Sequence, residues 1–315
     1  MDISIVIPLL NESESLVELS LKIDSVMKEN SFKYEVIYVD DGSDDDSWKI
    51  ISSICIENNS FKAIKFSKNY GKSQALHAGF EIADGNVVFT MDADLQDDPE
   101  EIPEMYNLII TKNLDILSGW KKKRFDPVLT KNLPSKIFNL SARLTSGIKL
   151  NDFNCGLKGY KNEVVKNINV YGEMHRYIPI LASNEGYNKI EEKVIKHRPR
   201  KYGQTKFGMS RFSHGFLDLV TIWFLSRFGK RPMHFFGTIG ALMLIIGFMF
   251  ALYLGIDKIY LNPEGRLITE KPEFFISLTT MILGSQFFVA GFLGEMITRN
   301  NQNKKQYKID QKINC

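Results

Sequence analysis

The sequence predicts an α/β protein with a mostly parallel sheet covered by helices, followed by a two-helix transmembrane hairpin. Short β-rich runs alternate with segments of helical periodicity over residues 3–118, a pattern typical of parallel sheets. Two long runs in the C-terminal third, 233–256 and 274–294, carry no charged side chain. Each is long enough to cross a bilayer core, which takes roughly 20 helical residues. The 315 residues are 44% apolar, enough for one large domain with a sizeable core.

The predicted strands follow in order along the N-terminal region: 3–7, 35–39, 62–66, 86–90 and 114–118. Apolar residues recur every three or four positions between them, as on one face of a helix. The predicted helices are a first one carrying Leu16, Leu19, Ile23 and Val26, then 46–58, 71–83 and a fourth after Pro99.

Composition divides the chain into four predicted parts. Residues 1–212 form the α/β domain, and 232–298 form the hairpin, with helices at about 233–256 and 274–296. Between them, 213–231 is predicted to be an amphipathic juxtamembrane segment. Residues 299–315 are a basic tail.

The distribution of Lys and Arg predicts how the hairpin is oriented. Residues 196–231 hold nine Lys or Arg and one acid, and 295–315 hold five Lys or Arg. The connection 257–273 holds three Lys or Arg and four acids. We therefore expect both ends of the hairpin, and the α/β domain, on the cytoplasmic side of the cell (inner) membrane.

Other bulk features exclude several classes of protein. Three widely spaced cysteines fit neither a disulfide framework nor a zinc site, which predicts reduced, structural thiols. The acidic N-terminus enters a strand pattern at once, so we expect no signal peptide. Neither Gly-x-Gly-x-x-Gly nor a Walker sequence occurs, which disfavours dinucleotide oxidoreduction and P-loop hydrolysis.

Acidic turns follow three of the predicted strands. "PLLNE" (8–12), "DDGS" (40–43) and "DADLQ" (92–96) lie where strands end. Ligands of open α/β sheets bind at that edge, so Asp40, Asp92 and Asp94 are expected in one crevice. A divalent ion such as Mg²⁺ takes one or two carboxylates plus substrate phosphate oxygens. The pattern predicts a nucleotide diphosphate held through a metal.

Nearby acids are given simpler interpretations. A calcium-binding EF-hand loop beginning at Asp92 is excluded, because its sixth position is Asp97 rather than Gly and its twelfth is Pro103 rather than Glu. The acids of 97–101 are interpreted as favourable charges at a helix N-terminus.

Several motifs together with the hairpin resemble a known family: "SIVIPLLNESESL", "VDDGSDDDS", "NYGKSQALHAGF" and "MDADLQDDPE". They resemble family 2 glycosyltransferases of the polyprenyl-phosphate type, relatives of dolichol-phosphate mannose synthase and of bacterial polyprenyl-phosphate glucosyltransferases. The resemblance implies a glycosyltransferase A (GT-A, Rossmann-like) fold, a nucleotide-sugar donor, Mg²⁺ or Mn²⁺, and a polyprenyl-phosphate acceptor such as undecaprenyl phosphate. Homo-oligomers, including tetramers, are common in the family.

The resemblance also implies roles for individual residues. The nucleotide-sugar contacts fall on Pro8, Leu9, Asn11, Glu12, Asp40, Lys72, Asp92 and Ala93. The metal falls to Asp94 and Gln96, and the catalytic residues are Asp94, Asp152 and Arg200. The flexible basic loop of the family matches 198–212, where Arg200, Thr205 and Lys206 are expected to contact phosphate. Lys121, Arg124 and Lys158 are further candidates for phosphate or acceptor contact.

Two parts of this assignment leave alternatives open. The basic loop would also serve as a polybasic stretch facing an anionic membrane. In "NDFNCGLKGYK" (151–161), Gly156-Leu157-Lys158 replaces an apolar-aromatic residue and Arg of the family. Lys158 keeps the positive charge of that Arg but not its planar fork, which leaves its contact with phosphate open. In "EMHRYIPILA" (173–182), His175 and Arg176 are left outside the predicted site.

The predicted reaction is inverting transfer of a hexose to a lipid phosphate. A phosphate monoester has its second pKa near 6, so the nucleophile is already anionic and Asp152 either acts as a base or orients the acceptor. UDP-glucose is the first expected donor, with GDP-mannose and UDP-amino sugars as alternatives. A processive polysaccharide synthase is disfavoured because no Gln-x-x-Arg-Trp element occurs. A non-enzymatic membrane-tethered binding protein is the remaining alternative, and nucleic-acid binding is not expected.

Overall fold

The computed structural model describes residues 1–122, 139–140, 142–143, 146–170, 172, 174–199, 201–202, 224, 228, 231–300 and 307–315. They form two compact units, Met1–Trp223 with Lys305–Cys315, and Phe224–Lys304. The predicted amphipathic segment 213–231 lies almost wholly outside the described residues, so that prediction stands as it was.

The first unit is built on an eight-stranded mixed sheet. Its strands are β1 (Ile3–Leu9), β2 (Tyr34–Asp40), β3 (Phe61–Phe66), β4 (Val87–Thr90), β5 (Ile116–Trp120), β6 (Lys158–Lys161), β7 (Ile190–Val194) and β8 (Ile309–Ile313). Their spatial order is β7-β5-β6-β4-β1-β2-β3-β8. The central strands β4, β1, β2 and β3 run parallel, and β6 and β8 are antiparallel to their neighbours. Every residue of β1 and β2 is buried, which explains why these strands read as nearly continuous apolar runs.

Helices connect the strands and cover the sheet. They are α1 (Leu16–Glu29), α2 (Ser47–Glu57), α3 (Lys72–Ile82), α4 (Ile102–Lys112), α5 (Asn162–Asn167) and α6 (Ile178–Asn184). Short 3₁₀ turns precede α4 (Pro99–Glu101) and α6 (Met174–Tyr177). The mostly parallel, helix-covered sheet expected from the sequence is confirmed, with the five predicted strands and four predicted helices displaced by only a few residues.

Residues 309–313 return to the sheet as β8, whereas the sequence predicts only a basic tail over 299–315. This strand pairs antiparallel with β3. The ring of Tyr307 stacks on Phe66 at 4.9 Å between centroids, and Trp48 donates to Gln311 at 2.8 Å. The side-chain amide of Asn314 donates to two backbone carbonyls of the first unit. The tail therefore covers the outer edge of β3, an edge that would otherwise be open to pairing with another chain.

The second unit is a helical hairpin of α7 (Pro232–Ile256) and α8 (Pro272–Asn300). Residues 232–261 and 272–297 are long and apolar enough to cross a membrane. Gly240 and Gly284 face each other so closely that a methyl group on either would lie within 3 Å of the opposite backbone. Ser277 donates to the carbonyl of Gly247 at 2.7 Å. Small residues and a buried hydroxyl at the helix contact are typical of helices packed in lipid.

Candidate active site

The turns after β1 and β2 are joined into one surface by side chain to backbone hydrogen bonds. Asn11, which has a left-handed φ of 52°, donates its N–H to Ser43 Oγ at 2.9 Å and accepts from the N–H of Asp44 at 2.9 Å. The N–H of Glu12 donates to Ser47 Oγ at 3.0 Å. These bonds place the predicted residues Asn11 and Glu12 beside the end of β2.

Asp40, the last residue of β2, is fully buried, and one of its two carboxylate oxygens accepts a hydrogen bond. Its Oδ1 accepts from the N–H of Ser43 at 2.8 Å, whereas Oδ2 is buried without a hydrogen-bond partner among the described residues. Burial raises the pKa of this carboxyl above its usual value. A buried acceptor left unpaired costs roughly 1–3 kcal/mol, so a ligand that donates to Oδ2 would recover that cost.

Asp41 fixes the loop that leads into α3. Its two oxygens accept from the N–H groups of Tyr70 and Gly71, at 2.7 and 2.9 Å. Gly42 between the turns has a φ of 78°, and a Cβ there would lie 2.5 Å from the backbone carbon of Lys68. Only glycine fits this position, and the contact brings the first residue of α3, Lys72, to the sheet edge.

The turn after β4 carries the predicted metal residues on a strained backbone. Leu95 has a φ of 61°, a left-handed conformation that costs a residue with a Cβ roughly 1–2 kcal/mol. The turn directs Asp94 Oδ1 to accept from the N–H of Gln96 at 3.1 Å. Such strain is often kept at functional sites.

The two aspartates of this turn have opposite electrostatic surroundings. Burial and the neighbouring charge of Asp92 raise the pKa of Asp94 to about 6. Burial also opposes ionisation of Asp92, but nearby cations, led by Lys72 at 2.5 Å, outweigh it and hold the pKa of Asp92 well below its usual range. A cation beside Asp94 would relieve the repulsion between the two carboxylates.

The donor set fits a metal that arrives with a substrate. Among the described residues, no group of three or more His, Cys, Asp or Glu side chains is placed to hold an ion. Mg²⁺ commonly uses one or two carboxylates and takes its other ligands from phosphate oxygens and water. Asp92, Asp94 and the amide oxygen of Gln96 match such a site and not an all-protein cage.

A small cavity lies next to Asp92, with a volume of about 20 Å³. Pro8 and Lys72 of the predicted site line it together with Lys158, the first residue of β6. Its other lining residues are Leu76, Thr90, Met91, Phe153, Asn154, Cys155, Gly156, Tyr160, His175, Arg176 and Ile178. The structure therefore brings Pro8, Lys72 and Asp92, which are predicted to contact the nucleotide sugar, together with Lys158, a predicted phosphate or acceptor contact, around one cavity.

The acids of 97–101 do more than favour a helix N-terminus, which was their interpretation from sequence. Asp97 is buried and pairs with Lys121 at 2.6 Å. Asp98 accepts from the N–H of Glu100 as a cap and pairs with Arg198. The N–H of Arg198 also donates to the carbonyl of Gln96 at 3.0 Å. These contacts fix the start of the basic loop against the metal turn.

Other predicted residues are placed differently or not described. Asp152 is buried; its carboxylate accepts from the N–H of Asn154 at 3.1 Å and more weakly from that of Lys121 at 3.4 Å. The Lys121 ammonium is engaged by Asp97, so its predicted phosphate contact requires exchange of partners. Arg124, Arg200, Thr205 and Lys206 lie outside the described residues, and their roles stay predictions.

Sequence reasoning missed several residues of this site. Asp41 follows the predicted Asp40 in the sequence, but only the fold shows that it accepts hydrogen bonds from the loop before α3. Gly156 matters because a Cβ there would lie 2.5 Å from Asp92 Oδ2. His175 lines the cavity, where burial lowers its pKa well below the usual value, and its ring nitrogen lies 3.2 Å from Ser73 Oγ. The motif "EMHRY" was its only signal.

Comparison with known proteins now identifies the family. The model of glycosyl transferase family 2 matches residues 4–168. The chain belongs to glycosyltransferase family 2. It is 34% identical to a dodecaprenyl-phosphate galacturonate synthase of Rhizobium johnstonii, over 95% of this chain and 88% of that protein. It is 32% identical to an undecaprenyl-phosphate 4-deoxy-4-formamido-L-arabinose transferase of Pseudomonas syringae, over 94% and 86% of the two chains.

Solved structures confirm the fold of this glycosyltransferase. A glucosyl-3-phosphoglycerate synthase from Mycobacterium tuberculosis, crystallised with Mn²⁺, UDP and glucosyl-3-phosphoglycerate, superposes with a TM-score of 0.55. The match covers 71% of this chain and 79% of the other at 16% identity. At that identity the likeness shows the fold alone, and the fold is the GT-A fold expected from the motifs.

Proposed function

We propose that this glycosyltransferase moves a sugar from a nucleotide diphosphate to a polyprenyl phosphate at the cytoplasmic face of the cell membrane, with inversion at the anomeric carbon. The observation that carries the proposal is the meeting of Asp92, Asp94 and the cation-lined cavity at the carboxyl ends of β1 and β4. The names of the relatives, which specify dodecaprenyl and undecaprenyl phosphates, support the acceptor.

The described residues have distinct parts in this reaction. Asp40 presents an unpaired acceptor to the nucleotide, and Lys72 holds Asp92 in place. Asp94 and Gln96 would hold Mg²⁺ or Mn²⁺, and a bound metal would stabilise the charge of the departing diphosphate. Asp152 orients the acceptor or takes its proton.

The basic loop would supply the remaining charge for the phosphates. Arg198 is anchored to Gln96 and Asp98, and Arg200 follows two residues later in the chain. The sequence prediction for Arg200 is that its planar guanidinium binds phosphate oxygens of the substrates.

The donor sugar is the finer part of the proposal. The sequence predicts UDP-glucose as the first donor to consider. The names of the relatives add two alternative sugars, galacturonate and 4-deoxy-4-formamido-L-arabinose. UDP, the nucleotide of the structural neighbour, is the first nucleotide to test. Transfer to a lipid is preferred over polymer synthesis because the Gln-x-x-Arg-Trp element is absent from the sequence.

A labelled donor panel tests the proposal directly. Purified full-length protein would receive labelled nucleotide sugars, Mg²⁺ or Mn²⁺ and undecaprenyl phosphate, and label would be followed into the lipid phase. Asp94→Asn should lower turnover at least about 100-fold, because a metal at the leaving group supplies several kcal/mol, while the thermal unfolding temperature stays the same or rises. The exposed Asp84→Asn is the matched control. Full activity of Asp94→Asn, or no lipid label from any donor, would refute the proposal.

A further inference from the structure

The loop 67–71 joins β3 to α3 and leads directly to Lys72, whose ammonium pairs with Asp92 at 2.5 Å. The first three residues of this loop are exposed, and Gly71 at its end has a φ of 97°. An exposed loop that contains a glycine in this conformation is ordered only as far as contacts from other elements hold it. The position of Lys72 therefore depends on those contacts.

Two elements hold the loop from opposite sides, because β2 and β8 flank β3 on its two edges. On the side of β2, Asp41 accepts from the N–H groups of Tyr70 and Gly71. On the side of β8, the N–H of Ser67 donates to the carbonyl of Lys308 at 3.2 Å, which continues the pairing of β3 with β8 into the loop. The tail of the chain is thus part of what fixes this loop.

Tyr307 contacts both of the elements that the loop joins. Its ring stacks on Phe66, the last residue of β3, at 4.9 Å between centroids, and Phe66 packs edge-on against Tyr70 at 5.6 Å. Its hydroxyl donates to Glu81 Oε2 at 2.6 Å, and its ring lies edge-on to His77 at 6.2 Å. His77 and Glu81 are four positions apart and so share one face of α3. Tyr307 therefore ties the end of β3 to the helix that begins with Lys72.

We propose that Tyr307 is a positioning residue for the donor site, which holds the loop 67–71 and thereby keeps the Lys72 ammonium on Asp92. The inference rests on the proposed nucleotide-sugar transfer, in which Lys72 and Asp92 contact the donor. It gives the tail a part in donor binding beyond covering the edge of β3. An aromatic stack and a hydrogen bond to a carboxylate are contacts strong enough for this task.

Separate measurements of donor and acceptor binding test this role. The full-length protein would be assayed for the KM of the best donor of the panel, for the KM of undecaprenyl phosphate, and for UDP affinity by calorimetry. Tyr307→Leu removes the stack and the hydrogen bond. It should raise the donor KM and the Kd of UDP about 3- to 30-fold, the range of coupling through packed contacts, and leave the acceptor KM within about twofold. Tyr307→Phe keeps the ring and should act in the same direction by a smaller factor.

Two control variants on the same strand distinguish positioning from simple stabilisation. Asn314 bonds the carbonyls of Cys55 and Phe61, at the end of β8 away from the loop. Asn314→Ala should lower the unfolding temperature but leave the donor KM within about twofold. Asp310→Asn, at an exposed position, should change neither quantity.

A double-variant cycle tests whether Tyr307 acts through Lys72. Two substitutions that weaken the same contact are not additive. In the Lys72→Met background, Tyr307→Leu should therefore raise the Kd of UDP by less than about twofold. The wild-type background should show the full effect.

The outcomes separate the two proposals. Additive losses in the double variant, an unchanged donor KM in Tyr307→Leu, or an equal rise in donor and acceptor KM would overturn the positioning role while transfer to lipid still stands. A donor KM raised as much by Asn314→Ala as by Tyr307→Leu would also overturn it. Absence of transfer by the wild type from every donor would overturn the proposed function, and the UDP affinities would still decide the role of Tyr307.

Discussion

Gly156→Ala is the most direct test of the geometry around Asp92. A Cβ built on Gly156 lies 2.5 Å from Oδ2, 2.6 Å from Cγ and 2.9 Å from Oδ1 of Asp92. Ordinary carbon–oxygen contacts begin near 3.3 Å, so one of the two residues must move by about 1 Å. The Gly156 carbonyl accepts from Thr90 Oγ1 at 2.8 Å, which holds the backbone. The Asp92 carboxylate, which is 32% exposed, is therefore the part that moves.

The size of the effect follows from that displacement. A reacting group misplaced by 1 Å can cost about 100-fold in rate, which corresponds to about 2.7 kcal/mol. We expect Gly156→Ala to lower kcat/KM for lipid glycosylation by about this factor, with a small change in the unfolding temperature because Asp92 turns toward solvent. The assay is label transfer under single-donor conditions, beside thermal unfolding of the same sample.

The matched control is Gly255→Ala, since a Cβ on Gly255 meets no atom within 4 Å. It should leave both kcat/KM and unfolding unchanged. If Gly156→Ala retained activity within about threefold of the wild type, the Asp92 carboxylate would not be a substrate contact. A large fall in unfolding temperature would show instead that the backbone of 155–157 had moved.

Two further predictions concern the acids at the end of β2, Asp40 and Asp41. Asp40→Asn should weaken the binding of UDP, measured by calorimetry, about 10- to 100-fold, which is the range of a hydrogen bond to a charged acceptor. The unfolding temperature should stay the same or rise, because the substitution removes a buried charge with an unpaired oxygen. Unchanged UDP affinity would contradict this prediction. Burial raises the pKa of Asp41 from 3.8 to about 6, so the folded state binds this proton more tightly than the unfolded state. Its contribution to stability is therefore most favourable below about pH 4 and declines as pH rises through 6, by up to about 3 kcal/mol. Urea unfolding at pH 5 and pH 7 should show a smaller loss of stability in Asp41→Asn than in the wild type, because the raised pKa of Asp94 contributes to the slope of both proteins. Parallel pH profiles of the two proteins would refute the prediction.

The central sheet could be predicted because its elements are encoded locally. The strands β1 to β5 lie within a few residues of apolar runs, and the helices α1 to α4 follow a regular spacing of buried residues. β6 and β7 were missed for a physical reason. The run "KGYK" of β6 contains a glycine and two lysines, and "IEEKV" of β7 is largely polar. Such strands depend on their neighbours in the sheet and not on their own composition.

The sequence motifs predict residues of the site, but not the contacts that place their side chains. Asp40, Asp92 and Asp94 were recognisable because they end strands, but their different surroundings depend on residues distant in sequence. Lys72 reaches Asp92 because Asp41 holds the intervening loop, a contact across 30 positions. Likewise, the closeness of Gly156 to Asp92 depends on the antiparallel pairing of β4 with β6. Pairings of this kind are set by the packed fold.

The strand β8 constrains the membrane topology of the chain independently of the distribution of Lys and Arg. Residues 305–315 belong to the same compact unit as Met1–Trp223, so the chain leaves that unit before the hairpin and re-enters it afterwards. A folded unit cannot lie on both sides of a bilayer at once. If α7 and α8 cross a membrane, both ends of the hairpin must therefore lie on the same side of that membrane as the first unit. The Lys and Arg distribution favours the cytoplasm for that side, where a soluble nucleotide sugar would meet its lipid acceptor.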